Sequence, residues 1–181
     1  MAVPLTTSVT QTIEIMISPW RVRFPRARWV QPQDRHVTLK FLGPTPLRLD
    51  DWLQHRVREV AALTQVFETH LAALGGFPSD ERAHVLWVGL TDGDGHLATM
   101  ANALETALAP EFTPERRPFI PHVTVARSDL ALEVPNGPTA SPLIDAVVPV
   151  REIMLIRSHA ARSSARYEPL GTFPLSDPLS P

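Results

Sequence analysis

Apolar positions recur along this chain with two periods, and the switches between them mark its elements. MAVPL opens as a short strand. Ser8-Val9-Thr10-Gln11 has the form of a helix-capping box, and Val9, Ile13 and Ile17 follow at helical spacing up to Pro19, where a helix is expected to close. Residues 19–34, carrying Arg and Pro, read as a loop. Alternation returns at His36–Leu42, a strand stopped by Gly43-Pro44. Asp50 is placed to cap a helix over about 51–64, with Leu53, Val57, Val60, Ala61 and Thr64 on one face. VFETHLAAL (66–74) and AHVLWVGL (83–90) pair as strands around Gly75-Gly76-Phe77-Pro78. A helix striped by Leu97, Ala101, Leu104 and Leu108 ends at Pro110. HVTVAR (122–127) is the next strand, followed by a Pro-rich loop (EVPNGPTASP) and strands near 151–158 and 166–173. The tail TFPLSDPLSP is expected to fray.

The order β-α-β-α-β-β-α-β-β-β mixes helices with hairpins, and no glycine-rich turn follows a strand in the dinucleotide-binding pattern. It predicts an α+β domain of two similar lobes.

Composition narrows the classes. The chain has 181 residues, 44% of them hydrophobic, enough for one core. No apolar run reaches the length of a membrane span, and the N-terminus lacks the basic start and apolar stretch of a secretory signal. With no cysteine there is no disulfide, thiolate chemistry or cysteine zinc site, and a cytoplasmic protein is expected. The net charge of −2 gives no general attraction to polyanions. Arg21, Arg23, Arg26, Arg28 and Arg35 nevertheless precede one histidine motif, and Arg116 and Arg117 another. Such runs ordinarily serve solubility.

The motifs are two copies of His-Val-Thr, in RHVTLKFLG (35–43) and PHVTVARSD (121–129). Alternation puts His36, Thr38 and Lys40 on one strand face, and His122 with Thr124 on another, opposite apolar rows. Lys40, the only lysine, lies inside the first motif. If two lobes bring these faces together, a neutral imidazole can take a proton from water and a charged one can give a proton to a leaving oxygen. Threonine hydroxyls and the Lys40 ammonium can hold phosphoryl oxygens. That chemistry opens a phosphodiester without a metal. A lone His-x-Thr arises by chance; two in matching strands carry more weight. His55, His70, His84 and His96 read as ordinary surface or strand residues, while His159 stands in the polar, basic stretch SHAARSSAR.

These residues resemble the two-histidine phosphoesterase superfamily, which is defined by paired His-x-Thr-x motifs. The likeness is to its bacterial branch, the RNA 2′,3′-cyclic phosphodiesterases, also called 2′-5′ RNA ligases. HVTLKFLG, LGGFP, VLWVGL, RPFIPHVTVAR and ARYEPL look like family blocks in family order, over roughly residues 1–172. The resemblance implies two mainly antiparallel sheets around a central cleft, with helices outside, in one bilobal domain (1–172) followed by a Pro/Ser-rich tail (173–181). It implies no metal and no cofactor. The implied substrates are RNA ends or nucleotides carrying a 2′,3′-cyclic phosphate, opened to a 2′-phosphate by a monomer. By that analogy His36 is the proton donor to the departing 3′-oxygen and His122 the base. Thr38, Thr124, Lys40 and Arg127 would hold phosphate, although strict alternation turns Arg127 away from His122. Phe41 and Phe119 are candidates to stack on a base, or to pack in the core.

Two features depart from the family pattern. The first strand is cut to MAVPL, so either it is short or the chain starts upstream, and His84 stands where an arginine often precedes VLW. The rival readings are 2′-5′ ligation by the same groups and a nucleotide- or RNA-binding module without turnover.

Overall fold

The structure, a computed structural model, describes residues 1–92, 94–134, 146–159 and 166–177. Most of the Pro-rich loop and of SHAARSSAR lies outside them. After strand β1 (Ala2–Pro4), helix α1 runs from Thr7 to Arg23, straight through the expected stop at Pro19. Pro19 has no N–H to give the Ile15 carbonyl, but the Ser18 hydroxyl donates to that oxygen at 2.9 Å. Trp20, one residue past the proline, is buried with Ile13, Met16 and Ile17, and this burial offsets the cost of the break. The cap is Thr6 rather than Ser8: its side chain accepts from the Val9 N–H.

The remaining elements are β2 (Arg28–Trp29), β3 (His36–Thr38), α2 (Asp50–Leu63), β4 (Phe67–Phe77), β5 (Ala83–Thr91), α3 (His96–Leu108), β6 (His122–Leu132), β7 (Val147–Val150), β8 (Glu152–His159) and β9 (Arg166–Pro174). β2 and β7 are additions to the expected set, too short for an alternating pattern to show. α3 is capped from a distance by Asp92, whose carboxylate accepts from the Leu97 and Ala98 N–H groups at 2.9 Å each.

The strands form a single sheet in the order β7-β4-β5-β6-β3-β1-β8-β9, with β2 also on β6. Its strand pairings are antiparallel. The two lobes expected as separate sheets are its two halves, β7-β4-β5-β6 and β3-β1-β8-β9, hydrogen-bonded through the β3–β6 pair. One face carries Val37, Leu86, Val88, Val123, Val125 and Ile153, all fully buried in one cluster with Ile13, Leu53, Leu97 and Leu104 of the helices. Each such side chain contributes about 1.5–3 kcal/mol on burial. The core thus lies on one side of the sheet, and the other side is left for chemistry.

The boundary expected at residue 172 falls inside β9. Phe173 and Leu175 are only 4% and 6% exposed. The Leu175 N–H donates to Arg151 O and the Ser176 N–H to Thr64 O, each at 2.8 Å. Residues 173 and 174 therefore belong to β9 and 175–176 are packed and hydrogen-bonded beside it, because two apolar side chains two positions apart hold them there despite the flanking prolines.

Candidate active site

The site is set by one register. Val37 pairs with Val123 in the antiparallel β3–β6 ladder. Continuing it by one residue each way puts His36 across from Thr124 and Thr38 across from His122. All four side chains then stand on the face opposite the buried valines. His36 and His122 become diagonal neighbours, a relation that places side-chain origins about 7–8 Å apart. The distant motifs meet, and each threonine sits beside the other strand's histidine.

Both rings are held the same way. His36 Nδ1 lies 2.9 Å from Asp34 O, and His122 Nδ1 lies 2.7 Å from Ile120 O. A carbonyl only accepts, so each Nδ1 carries the proton and each Nε2 is left to take or give one. Burial pushes both imidazoles below the ordinary value of 6.5. The Arg127 cation lowers His122 further, and His122 in turn lowers His36, so the two rings feel one another.

Arg127 reaches this face through a β-bulge. Leu86 pairs with Ala126 but Trp87 with Thr124, so one step of β5 is matched by two of β6. Val125 and Ala126 are consecutively buried there, which reverses the alternation and turns Arg127 to the His122 side. Strict alternation hid this.

Lys40 goes elsewhere. β3 ends at Thr38 rather than Leu42, and Lys40 is 5% exposed, with Nζ donating to Glu105 Oε2 at 2.5 Å and to Thr113 O at 3.4 Å. The Leu39 N–H donates to Met1 O at 2.9 Å, part of the turn that carries Lys40 off the His36 face. The reading of Lys40 as a phosphate ligand is corrected accordingly. Phe41 is 79% exposed just beyond, while Phe119 packs partly buried against the core.

Aromatic rings flank both histidines, and the sequence reading passed over them. Tyr167, the only tyrosine, meets the His36 ring edge-on at 4.9 Å. It belongs to β9, three strands from β3; strands about 4.8 Å apart would keep the two well separated in a flat sheet, so the sheet curls around the site. On the other side Phe77 meets His122 edge-on at 5.0 Å, and Trp87 lies 6.2 Å from it. Gly75 and Gly89 leave room for the indole: a Cβ at Gly75 would fall 2.5 Å from Trp87 Cη2, and one at Gly89 3.1 Å from Cζ3. The blocks LGGFP, VLWVGL and ARYEPL contained these residues, and the paired glycines beside an aromatic were the available signal. Among the described residues no three His, Asp or Glu side chains gather as a metal site.

The sequence profile of the 2′-5′ RNA ligase superfamily matches residues 10–162. The chain belongs to this superfamily. An RNA 2′,3′-cyclic phosphodiesterase of Geobacillus stearothermophilus is 33% identical over 178 residues, covering 97% of this chain and 56% of that protein. The chain spans 54–60% of the length of the curated relatives it matches. Among solved structures, TT0787 of Thermus thermophilus superposes with a TM-score of 0.79 at 25% identity, covering 96% of this chain and 95% of that one. LigT of E. coli, crystallised with 3′-AMP, gives a TM-score of 0.78 at 26% identity, covering 97% and 95%. In this superfamily member the curled sheet carries its paired motifs at the centre, on β3 and β6. No helix of the described residues is long and apolar enough to cross a membrane.

Proposed function

We propose that this superfamily member is an RNA 2′,3′-cyclic phosphodiesterase, opening a terminal cyclic phosphate to a 2′-phosphate, with His36 and His122 as its acid and base. The observation that carries the reading is the pair of imidazoles on one face, each with Nδ1 fixed on a carbonyl and Nε2 free among the described residues. The name of the G. stearothermophilus relative and the nucleotide bound by LigT support the substrate class.

In this mechanism the cyclic phosphate monoanion lies between the rings. The Arg127 cation favours neutral His122, which suits that ring to the base role. His122 Nε2 takes a proton from water as the water oxygen bonds to phosphorus. The bond from phosphorus to the 3′-oxygen breaks, and His36 Nε2 gives its proton to that oxygen. His36 is held neutral in the free protein by burial, and the arriving anion offsets that penalty and lets it charge. The hydroxyls of Thr38 and Thr124, with Arg127, hold the non-bridging oxygens. Exposed Phe41 is the better placed of the two phenylalanines to meet a base. A monomer working in the cytoplasm completes the reading.

The test is incubation of the purified protein with 2′,3′-cyclic mononucleotides and with an RNA ending in a cyclic phosphate, resolving 2′- from 3′-phosphate products. Release of 2′-phosphate is the expected result, and unchanged substrate after long incubation would refute it. Ligation uses the same groups in reverse; water at about 55 M drives hydrolysis unless two RNA ends are held together.

A further inference from the structure

Arg28 and Arg127 are partners across the β2–β6 pairing. Directly opposed residues share a face, and this face is the one His122 occupies. The neighbouring Trp29 packs on the core across from fully buried Ala126, so Arg28 turns the other way. Two like charges directly opposed on a sheet repel. One carboxylate offsets them: Asp129 accepts from both terminal nitrogens of Arg28, at 2.9 Å for Nη2 to Oδ1. No carboxylate is paired with Arg127 among the described residues. Arg127 reaches back to the reacting phosphate, so Arg28, with an exposed carboxylate as its partner, is the cation of the pair left for a second phosphate.

The two guanidinium groups fan apart along β6. Arg127 reaches back far enough to depress His122, whereas Arg28 is held forward at Asp129. Four to five strand steps of about 3.3 Å separate this pair from His122, roughly 15 Å at the backbone. For Arg28, held forward at Asp129, that lies beyond the reacting phosphate of a bound end, whereas Arg127 reaches back to it.

We propose that Arg28, beside Arg127, holds a phosphodiester of the chain leading to the reacting end, so that the substrate is an RNA strand in preference to a free cyclic nucleotide. The proposal rests on the phosphodiesterase reading. Asp129 keeps the Arg28 fork oriented until a phosphate displaces it, since a guanidinium accepts a carboxylate or a phosphate in the same two-pronged geometry.

The experiment measures binding of a short single-stranded RNA ending in a 2′-phosphate, by fluorescence anisotropy across a salt series, with a nucleoside 2′-phosphate as competitor. Arg28→Gln should weaken the RNA about five-fold more than the mononucleotide and reduce the salt slope by about 0.7. Asp129→Asn should tighten RNA binding two- to five-fold, roughly, by freeing a cation. Wild-type affinity and slope in Arg28→Gln, equal losses on RNA and mononucleotide, or weaker binding by Asp129→Asn would overturn the proposal. Binding needs no turnover, so failure of the wild type to open a cyclic mononucleotide would sink the catalytic reading separately.

Discussion

Val37 and Val123 face each other across the β3–β6 ladder, both fully buried, and their pairing places both histidines and both threonines of the site. A slip of β3 by one residue against β6 would turn His36 into the core, expose Val37 and leave His122 without its partner. The core therefore enforces the geometry of the chemistry. The join between the two half-sheets and the centre of the site are the same pair of strands.

Removing either imidazole should abolish proton transfer without dismantling the cleft. His36→Ala and His122→Ala are each expected to lower turnover by about 10²–10⁴-fold. Binding of a nucleoside 2′-phosphate should stay within a few fold of wild type, read by calorimetry. Near-normal turnover in both variants would remove the two rings from the mechanism.

Burial lowers both imidazoles from 6.5, so the folded protein holds them neutral where the unfolded chain begins to take up protons. Their contribution to stability is complete above 6.5 and is lost as the pH falls through the folded values. Urea midpoints should decline as the pH falls below 6.5, and less steeply in a His36→Gln/His122→Gln double variant. Nuclear magnetic resonance titration should find both rings below 6.5 when free, with His36 moving upward once phosphate is bound. Rings that titrate at the ordinary value would contradict the desolvated site.

Lys40 and Glu105 form an ion pair whose ammonium is buried. Breaking such a pair from one side costs about 3–5 kcal/mol, because a charge is stranded. Lys40→Met should lose stability on that scale in urea unfolding, and Lys40→Met/Glu105→Leu should recover most of it. The KM for a cyclic nucleotide should be unaffected in the double variant. A large rise in KM there would return Lys40 to the phosphate site.

The sequence made the alternating strands and the paired motifs legible, because a period of two and a repeated tripeptide are local signals. What escaped it depended on partners. Pro19 looked like a helix end, since nothing local announces that Ser18 will satisfy the Ile15 carbonyl or that Trp20 will be buried. Arg127 looked misdirected because the bulge at Val125 is a mismatch between two strands, invisible in either alone. Lys40 looked well directed because alternation was carried two residues past the end of β3. Tyr167 and Phe77 reach the histidines across a curled sheet, a relation between strands far apart in sequence.

Gly75 supports a last prediction, about how His122 is aimed. The Trp87 ring lies over Gly75, and with Phe77, 5.3 Å away from it, forms the wall against which the His122 ring rests. A methyl group at position 75 would overlap Cζ2 and sit 2.5 Å from Cη2 of the indole, so ring or strand must move. Small displacements of a catalytic group are costly, and Gly75→Ala should lower kcat by about 10–10²-fold with little change in KM. Trp87→Phe in the same chain should restore most of the loss, because the smaller ring clears the methyl. It also deletes an indole N–H that is buried with no partner among the described residues, so the replacement leaves no stranded donor. Thermal unfolding of both variants separates misplacement from collapse: Gly75→Ala should remain folded. Full activity in Gly75→Ala, or no recovery on adding Trp87→Phe, would show that the aromatic wall does not aim the base.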